Sequence, residues 1–496
     1  MLFLYRSVLS KPTRPSLRAV DVRPALVALA RQFGVWVYYG AGTRCRRGAL
    51  VLLAVIAVGP AGCAGREEAP VASGWQHTRT TEGDVTTVST TDGSQWGGPA
   101  ILEEELSIGV AAGDEPYMFG QVASVWATDD AIWVVDRTVP AVRVYDHQGT
   151  WLRDIGGAGQ GPGEYEAPTQ VVVTDDGRII VADMSRRTNI YDASGTALAT
   201  WNAASRGGVF IGISGGSLLL RDDGSLWTRT AAMPTQQQMQ QGGTLRIPQG
   251  MAPLDQDGAQ GELVEPPAIG GQDAAMEMRT AGSSGGGMSV SMTSGPGGPF
   301  APSYVWAMAP NGDWVVGAAE SYRFEIHHAA GGRTIVERYW DPVPVLDEEA
   351  AYFVERTERS RQRFDPEYRY DGPPAPASKP AYSQLAVDRD GRIWVQRQGT
   401  GYRIPGCEDD DGTQTATSGG GGRVVMTTSQ PCWSSRVIRD VFDASGDYLG
   451  EVIAPEGLSL GATYIRDDLF LVVAEDEEGL VMVKKYRIVP ASSPTD

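Results

Sequence analysis

"VVVTDDGRIIVAD" occupies residues 171–183 and decides the fold of this chain. Two apolar runs rich in Val and Ile flank an Asp-Asp-Gly turn. Asp-Gly between such runs is a strong signal for a β-hairpin, because glycine adopts the positive φ angle that the tight turn requires. The stretch therefore predicts two antiparallel strands joined at Gly177.

The same hairpin pattern recurs along the chain. Further copies are "LLLRDDGSLWTRT" (218–230), "WAMAPNGDWVVGA" (306–318) and "LAVDRDGRIWVQR" (385–397), with looser copies "SVWATDDAIWVVD" (124–136) and "TYIRDDLFLVVAE" (463–475). The six turn residues are separated by 47, 47, 88, 79 and 77 positions. A period near 47 fits one four-stranded propeller blade, and the longer intervals indicate insertions. We predict an all-β fold, a six-bladed β-propeller over residues 101–490.

A second repeat supplies the outer half of several blades. It reads "VYDHQGTWLRDI" (144–155), "IYDASGTALATW" (190–201) and "VFDASGDYLGEV" (441–452), where Asp and Gly are typical turn residues. The C-terminal "GLVMVKKYRIV" (479–489) provides only a third strand for the last blade. Because open sheet edges promote aggregation, we expect "ILEEELSIG" (101–109) to close that blade as its outer strand.

The sequence around the first two hairpins resembles a known family. The stretches "SIGVAAGDEPYMFGQV", "VYDHQG" and "GAGQGPGEYEAPTQV" are similar to those of bacterial six-bladed β-propellers related to NHL repeats, with the best match over 101–203. Many members of that family are predicted lipoproteins. The resemblance implies the fold and hardly constrains the activity. Related propellers include lyases and lactone hydrolases with metal sites in the central channel.

Three segments interrupt the blades. Residues 232–300 form a low-complexity insertion that is rich in Gln and Gly, a composition that buries little apolar area. "DEEAAYFVERTERSRQRF" (347–364) begins with acids and ends with arginines, which predicts one short helix. Its aromatic residues are expected to pack on the propeller, with partner binding as the alternative. Residues 404–435 form the third insertion.

The N-terminal region carries features of an export signal. Arginines at 44, 46 and 47 precede an apolar stretch, 49–58, which is too short to span a bilayer. The following "PAGC" resembles a bacterial lipobox, although Pro60 departs from the usual leucine. We predict a signal region at 1–62, lipidation of Cys63 and a tether at 63–99, with an ordinary signal peptide as the alternative. Two interpretations of residues 1–40 remain open, a translation start further downstream and a second targeting segment.

The remaining cysteines indicate a disulfide. Cys407 and Cys432 flank a segment without an evident core of its own, "EDDDGTQTATSGGGG", and disulfides persist in exported proteins. We predict that the two residues pair and close the insertion at 404–435. The predicted location is the bacterial cell envelope, at the outer membrane or the periplasmic face, with Ala64 after the lipidated cysteine favouring the outer membrane.

Charge restricts the class of partner. The full chain carries a formal net charge of −19, and the part after residue 62, with 33 basic and 60 acidic residues, carries −27. Such a chain repels nucleic acid, whose binding requires Lys and Arg to neutralise phosphates. The predicted partners are a membrane, through the lipid anchor, and a protein, peptide or glycan ligand bound by a monomer.

Catalytic signals are sparse in the sequence. The chain has four histidines and contains no HExxH or GxSxG motif, and "GGAGQGPGEY" (156–165) lacks the glycine spacing of a dinucleotide fold. We predict no catalytic or metal-binding residues and no cofactor, with a divalent metal as the open alternative. Asp136 and Asp183, at strand ends, are the candidates for acids facing the channel. Two functions follow: a non-catalytic binding propeller or, alternatively, a metal-dependent hydrolase or lyase of the gluconolactonase type.

Overall fold

The computed structural model describes residues 74–491, with gaps at 186, 203–217, 236, 239–240, 242, 283–287, 295–296, 363–365, 408–412, 418–422, 428–430 and 456–458. The predicted signal region 1–62 and Cys63 lie outside the described residues, as does the first part of the predicted tether.

Strands dominate the described chain. In sequence order they are β1 Gln76–Glu82, β2 Val85–Asp92, β3 Ile101–Ile108, β4 Val122–Ala127, β5 Ile132–Asp136, β6 Ala141–Tyr145, β7 Trp151–Ile155, β8 Pro168–Val173, β9 Ile179–Asp183, β10 Arg187–Tyr191, β11 Ala197–Asn202, β12 Leu218–Leu220, β13 Leu226–Ala231, β14 Gly243–Ile247, β15 Gln249–Leu254, β16 Met276–Gly282, β17 Met288–Ser294, β18 Val305–Met308, β19 Trp314–Gly317, β20 Arg323–His327, β21 Arg333–Arg338, β22 Gln384–Val387, β23 Ile393–Arg403, β24 Thr413–Thr417, β25 Arg423–Thr427, β26 Trp433–Phe442, β27 Tyr448–Ile453, β28 Ser459–Arg466, β29 Leu469–Glu475 and β30 Val481–Val489. A 3₁₀ turn covers Glu115–Tyr117, and helix α1 covers Asp347–Gln362.

These strands form six blades, which confirms the predicted six-bladed β-propeller. Blades one and two are β4–β7 and β8–β11, and blade three contains β12, β13 and β15. Blade four contains β18–β21, blade five contains β22, β23, β26 and β27, and blade six contains β28–β30. Each predicted hairpin forms the two inner strands of its blade. Gly177, at the turn between β8 and β9, has a φ of +82°, as the Asp-Gly signal requires.

The N-terminal strand closes the ring as predicted. Strand β3 pairs antiparallel with β30 and becomes the outer strand of blade six, with Ile108 opposite Val483. Both ends of the propeller chain therefore share one sheet, so the last blade has the full number of strands.

The predicted tether at 63–99 contains regular structure from Gln76 onward. Strands β1 and β2 form a hairpin, and β2 pairs in parallel with β21 on the outer edge of blade four. The chain then follows the outer edge of blade five, where the amide of Trp96 donates to the carbonyl of Leu449 at 2.8 Å. The Thr- and Val-rich sequence suits a strand, and its pairing covers an exposed sheet edge. Residues 76–108, the N-terminal belt, thus contact blades four, five and six.

The first and third insertions contain more regular structure than their composition suggested. Within 232–300, β15 completes blade three, and β14, β16 and β17 form a separate three-stranded sheet. The low-complexity composition of 232–300 therefore does not exclude strands from part of the segment. Within 404–435, β24 and β25 pair as a hairpin. Hydrogen bonds between the backbones of paired strands stabilise these sheets, and they do not depend on an apolar composition of the side chains.

A disulfide closes the insertion of blade five, and helix α1 packs against it. Cys407 and Cys432 are bonded, with their Cα atoms 5.5 Å apart, as predicted. The backbone amide of Cys432 donates to the Tyr352 hydroxyl at 2.7 Å, and Tyr352 packs beside the ring of Trp433. The aromatic face of the helix therefore packs on the propeller, as expected. Phe364, the last predicted aromatic residue of the helix, lies outside the described residues.

The core lies between neighbouring blades. Phe324 and Ile326 of blade four pack against Leu385 and Phe442 of blade five, and all four are buried. Each such side chain contributes about 1.5–3 kcal/mol through burial, so the blade interfaces hold the ring together. In the described part of the chain, no helix is long and apolar enough to cross a membrane.

Candidate ligand-binding site

The two acids predicted to face the channel are tied into the backbone. The Asp136 carboxylate accepts hydrogen bonds from the amides of Gly120, Gln121 and Thr138 at 2.9–3.1 Å. Asp183 plays the same role for the loop that precedes blade two.

Asp183 accepts from the amides of Glu166, Ala167 and Ser185 at 2.7–3.0 Å. Burial would raise its pKa, but these hydrogen bonds outweigh burial and lower the pKa below its usual value. Both carboxylates are therefore engaged by backbone amides, and their orientation toward the channel stays a prediction. Both residues brace the loops between blades.

Side chains from different blades meet at the centre of the ring. Arg389 of blade five donates to the Leu220 carbonyl of blade three at 2.5 Å, across the intervening blade. Its guanidinium also lies 5.7 Å from the ring centroid of Trp126 in blade one. The Trp126 ring in turn packs 4.7 Å from that of Tyr464 in blade six. At this level the centre of the propeller is filled by its own residues.

The described histidines form local contacts. His147 lies 2.9 Å from the carbonyl of Thr128, and His328 lies 2.9 Å from Asp313 and 3.0 Å from Thr334. Among the residues that the structure describes, no three His, Cys, Asp or Glu side chains are grouped closely enough to hold a metal ion.

A row of buried polar residues occupies corresponding positions of the third strands. These residues are Arg143, Asn189, Glu325 and Asp440, each less than 5% exposed. In blade one, Arg143 donates to the carbonyls of Pro116 and Met118 in the loop that precedes the blade. A buried polar side chain must be hydrogen bonded. Arg143, Asn189 and Asp440 bond to segments outside their own blade, whereas Glu325 pairs with residues of blade four itself.

Asp440 is the centre of the largest of these networks. Its carboxylate accepts hydrogen bonds from the hydroxyls of Tyr322 (2.5 Å) and Tyr448 (3.0 Å). Arg397 donates to both carboxylate oxygens, at 2.5 and 3.1 Å, and Arg338 donates at 3.3 Å. Asp440 itself is fully buried. One buried carboxylate therefore joins blade four to blade five.

The arginines of this network stay charged. Burial would lower the pKa of Arg338 and of Arg397, but the Asp440 carboxylate outweighs burial and raises both above their usual values. Arg397 also pairs with Glu451 at 3.1 Å. Arg397 binds the Asp440 carboxylate through two nitrogens. Arg338 therefore shares this carboxylate with an arginine that binds it more extensively.

A cavity lies directly beside this network, on the rim of blade four. We call it the rim pocket. Its volume is about 480 Å³, and it is lined by Ser321, Tyr322, Arg323, Glu337, Arg338, Tyr339, Trp340 and Pro342. Pockets for small ligands typically combine apolar and aromatic walls with a few fixed polar groups. The rim pocket has this composition.

Arg338 is held rigidly in the wall of the rim pocket. Its guanidinium carbon lies 4.2 Å from the ring centroid of Tyr448 and 5.4 Å from that of Tyr322. Asp440 anchors one guanidinium nitrogen, and the side chain remains 18% exposed. A guanidinium carries five N–H donors in a fixed fork, so this residue is oriented in advance for an acceptor in the cavity.

Tyr339 provides an accessible aromatic surface at the same pocket. It is 66% exposed, and its hydroxyl donates to Asp341 at 2.9 Å. Its backbone amide donates to the Thr90 carbonyl of the N-terminal belt, also at 2.9 Å. The belt therefore fixes the position from which the ring projects.

A second cavity of about 300 Å³ lies between blades six and one. Its cations are paired with carboxylates: Lys485 with Glu105 at 2.9 Å, and Arg487 with Glu103 at 2.7 Å. This cavity is smaller than the rim pocket, and its charges are already satisfied by the protein. The rim pocket is the better candidate site.

Sequence reasoning did not find the rim pocket. Its residues lie in "SYRFEIHH" and "ERYWDPVPV" (321–328 and 337–345), where blade four departs most from the repeat. The run of Arg, Tyr, Trp and Pro at 338–342 was the available signal, because such residues are enriched at binding surfaces.

The chain matches a known class of propeller. Residues 114–204 match the model of a family, DUF5128, whose description is "6-bladed beta-propeller". Together with the ring of six blades, this match confirms the resemblance to six-bladed β-propellers. No curated protein matches the sequence significantly.

Solved structures with similar arrangements include a member of the DUF4221 family from Bacteroides vulgatus, at 12% identity and a TM-score of 0.46, over 79% of this chain and 99% of that one. A protein from Bacteroides fragilis, named as an exported protein, is also 12% identical. Its TM-score is 0.40, over 81% of this chain and 99% of that one. Virginiamycin B lyase from Staphylococcus aureus is 8% identical, with a TM-score of 0.30, over 74% and 95%.

Proposed function

We propose that this protein is a non-catalytic binding propeller of the bacterial cell envelope, lipid-anchored at Cys63, and that its ligand site is the rim pocket. The observation that carries the proposal is Arg338, a charged guanidinium stacked on two tyrosine rings, anchored on buried Asp440 and lining the cavity beside Tyr339. A preorganised cation beside an exposed aromatic ring provides affinity for a ligand and requires no catalytic step.

The extracytoplasmic location rests on two independent features. The bonded pair Cys407–Cys432 is typical of proteins in an oxidising compartment. The stretch "PAGC" before Ala64 resembles a lipobox and follows a short apolar segment with basic residues before it. Two acyl chains at Cys63 would provide stable membrane anchoring where a single chain would not.

The ligand is a protein, a peptide or a glycan. The net charge of −27 after residue 62 opposes the binding of nucleic acid. Tyr, Trp and Arg dominate binding energies at recognition sites, because they offer large rigid surfaces together with hydrogen-bond donors. The rim pocket contains all three. The centre of the ring, where a channel-site hydrolase or lyase would bind substrate, is crossed by Arg389 and packed with Trp126 and Tyr464.

Arrays of glycans and of peptides test this function. The labelled full chain carrying Cys63→Ala is applied to both arrays, alone and with either Tyr339→Ala or Tyr402→Ala. Tyr402 is the matched control, because it is 52% exposed but lies outside the rim pocket. We expect a ligand class whose binding is lost with Tyr339→Ala and kept with Tyr402→Ala. Binding that survives Tyr339→Ala, or no binding to either array, would contradict the proposal.

A further inference from the structure

Three backbone amides that line the rim pocket are already engaged. The backbone amides of Arg323, Arg338 and Tyr339 already donate to the carbonyls of Ser321, Tyr322 and Thr90, at 2.8–3.0 Å. Capture of a peptide terminus commonly uses a nest of free backbone amides. A ligand at this pocket instead meets guanidinium, carboxylate and hydroxyl groups, which suit a polyhydroxylated ring.

The charges of the pocket accommodate a single anion. Arg323 is neutralised by Glu325 at 2.9 Å and by Glu337 at 3.4 Å. Arg338 shares Asp440 with Arg397, which binds both oxygens of that carboxylate. Of the two arginines that line the rim pocket, Arg338 is therefore the one that acidic side chains compensate less. The strongly acidic chain around it opposes a densely charged polyanion but permits an isolated carboxylate.

Tyr339 supplies the complementary apolar surface. Its ring is largely exposed, and its backbone and hydroxyl are both held by hydrogen bonds. An exposed aromatic ring of fixed position can stack against the apolar face of a sugar ring with little loss of side-chain entropy.

We infer that the rim pocket binds a carboxylated sugar, with the carboxylate on the guanidinium of Arg338 and the ring on Tyr339. This inference rests on the proposed function, because it names the ligand class of the same pocket. A planar carboxylate matches the fork of the guanidinium, so it forms two parallel hydrogen bonds where a neutral hydroxymethyl group cannot.

Calorimetric titration of the full chain with defined probes tests the inference. The probes are methyl β-D-glucuronide, its neutral counterpart methyl β-D-glucoside, and acetyl-alanyl-alanine, which presents a peptide carboxylate. We expect the glucuronide to bind at least tenfold more tightly than the glucoside and than the peptide. Arg338→Lys keeps the charge but removes the fork, so it should weaken glucuronide binding at least tenfold and narrow the difference in affinity between glucuronide and glucoside. Tyr402→Ala should change neither.

The outcomes separate this inference from the proposed function. Equal affinity for the two sugars, or no glucuronide binding, would overturn the carboxylated sugar. Preference for the peptide, abolished by Tyr339→Ala, would overturn the sugar and keep the rim pocket as a binding site. Glucuronide binding that is insensitive to Tyr339→Ala and Arg338→Lys would overturn both, because the ligand would then bind elsewhere.

Discussion

Removing the charge of Asp440 should destabilise the whole propeller. Asp440→Asn keeps the shape of the side chain but leaves Arg338 and Arg397 without their shared anion. Because Asp440 is fully buried, water cannot replace it. Breaking a buried ion pair by removal of one partner costs about 3–5 kcal/mol, since the remaining charge is left uncompensated.

This cost corresponds to a measurable shift in melting temperature. Unfolding entropy is about 2.1 cal/mol/K per residue, or about 0.9 kcal/mol/K for the 434 residues that follow the predicted signal region 1–62. Dividing the energetic cost by this entropy predicts a decrease in Tm of about 3–6 °C for Asp440→Asn. Scanning calorimetry of the purified full chain at pH 7 gives the value directly.

Asp129→Asn is the matched control for the buried pair. Asp129 also pairs with an arginine, Arg466, but its side chain is 86% exposed. Exposed ion pairs contribute about 0–1 kcal/mol, so we expect a decrease in Tm of about 1 °C or less. Arg397→Met should cost less in the Asp440→Asn background than alone, because the two residues interact directly. Equal, small shifts for Asp440→Asn and Asp129→Asn would refute the central role of the buried network.

Three further predictions concern the anchor, the disulfide and one strand-end acid. Cys63→Ala should move the protein from the detergent-extracted membrane fraction to the soluble fraction or leave it uncleaved, and equal partitioning of parent and variant would refute lipidation. Replacing Cys407 and Cys432 by serine should lower the unfolding free energy by about 3 kcal/mol in the chain-entropy model, whereas labelling of both thiols in the unreduced parent would contradict the bond. The pKa of Asp183 is lowered in the fold, so its contribution to stability is present above about pH 3.9 and is lost as the pH falls through the lower folded value. Asp183→Asn should therefore be less stable than the parent at pH 7 in denaturant titrations, and the difference should shrink as the pH falls below about 3.9.

The repeat was sufficient to predict the propeller because its signal is local. Each Asp-Gly turn requires a positive φ at the glycine, and the flanking apolar runs fix the register, so the hairpins follow from short stretches of sequence. Closure by β3 followed from counting strands, since the last blade needed a partner for β30. The Cys407–Cys432 bond followed from spacing and compartment.

The N-terminal belt and the rim pocket depend on contacts between distant segments, which no local pattern encodes. The hairpin of β1 and β2 is Thr-rich and has the composition of a linker. Its pairing with the edge strand β21 is a long-range contact that this composition does not reveal. Asp136 and Asp183 were predicted as channel-facing acids from their place at strand ends, but their amide partners lie 15 to 17 positions earlier as well as 2 positions later. Sequence could not distinguish an acid that braces a loop from one that faces a channel.

The belt and the rim pocket form one structural unit. Thr90 of the belt holds the amide of Tyr339, which projects the aromatic ring of the site. Gln95 donates to the carbonyl of Tyr448, the residue whose ring stacks on Arg338. A Cβ atom at Gly450 would lie 2.6 Å from the Trp96 ring, so the belt fits tightly against blade five at this point. Both recognition residues are therefore supported by a segment that the repeat does not contain. A propeller with the same six blades but without this belt would lack the rigid placement of Tyr339 and Arg338, and with it the proposed specificity.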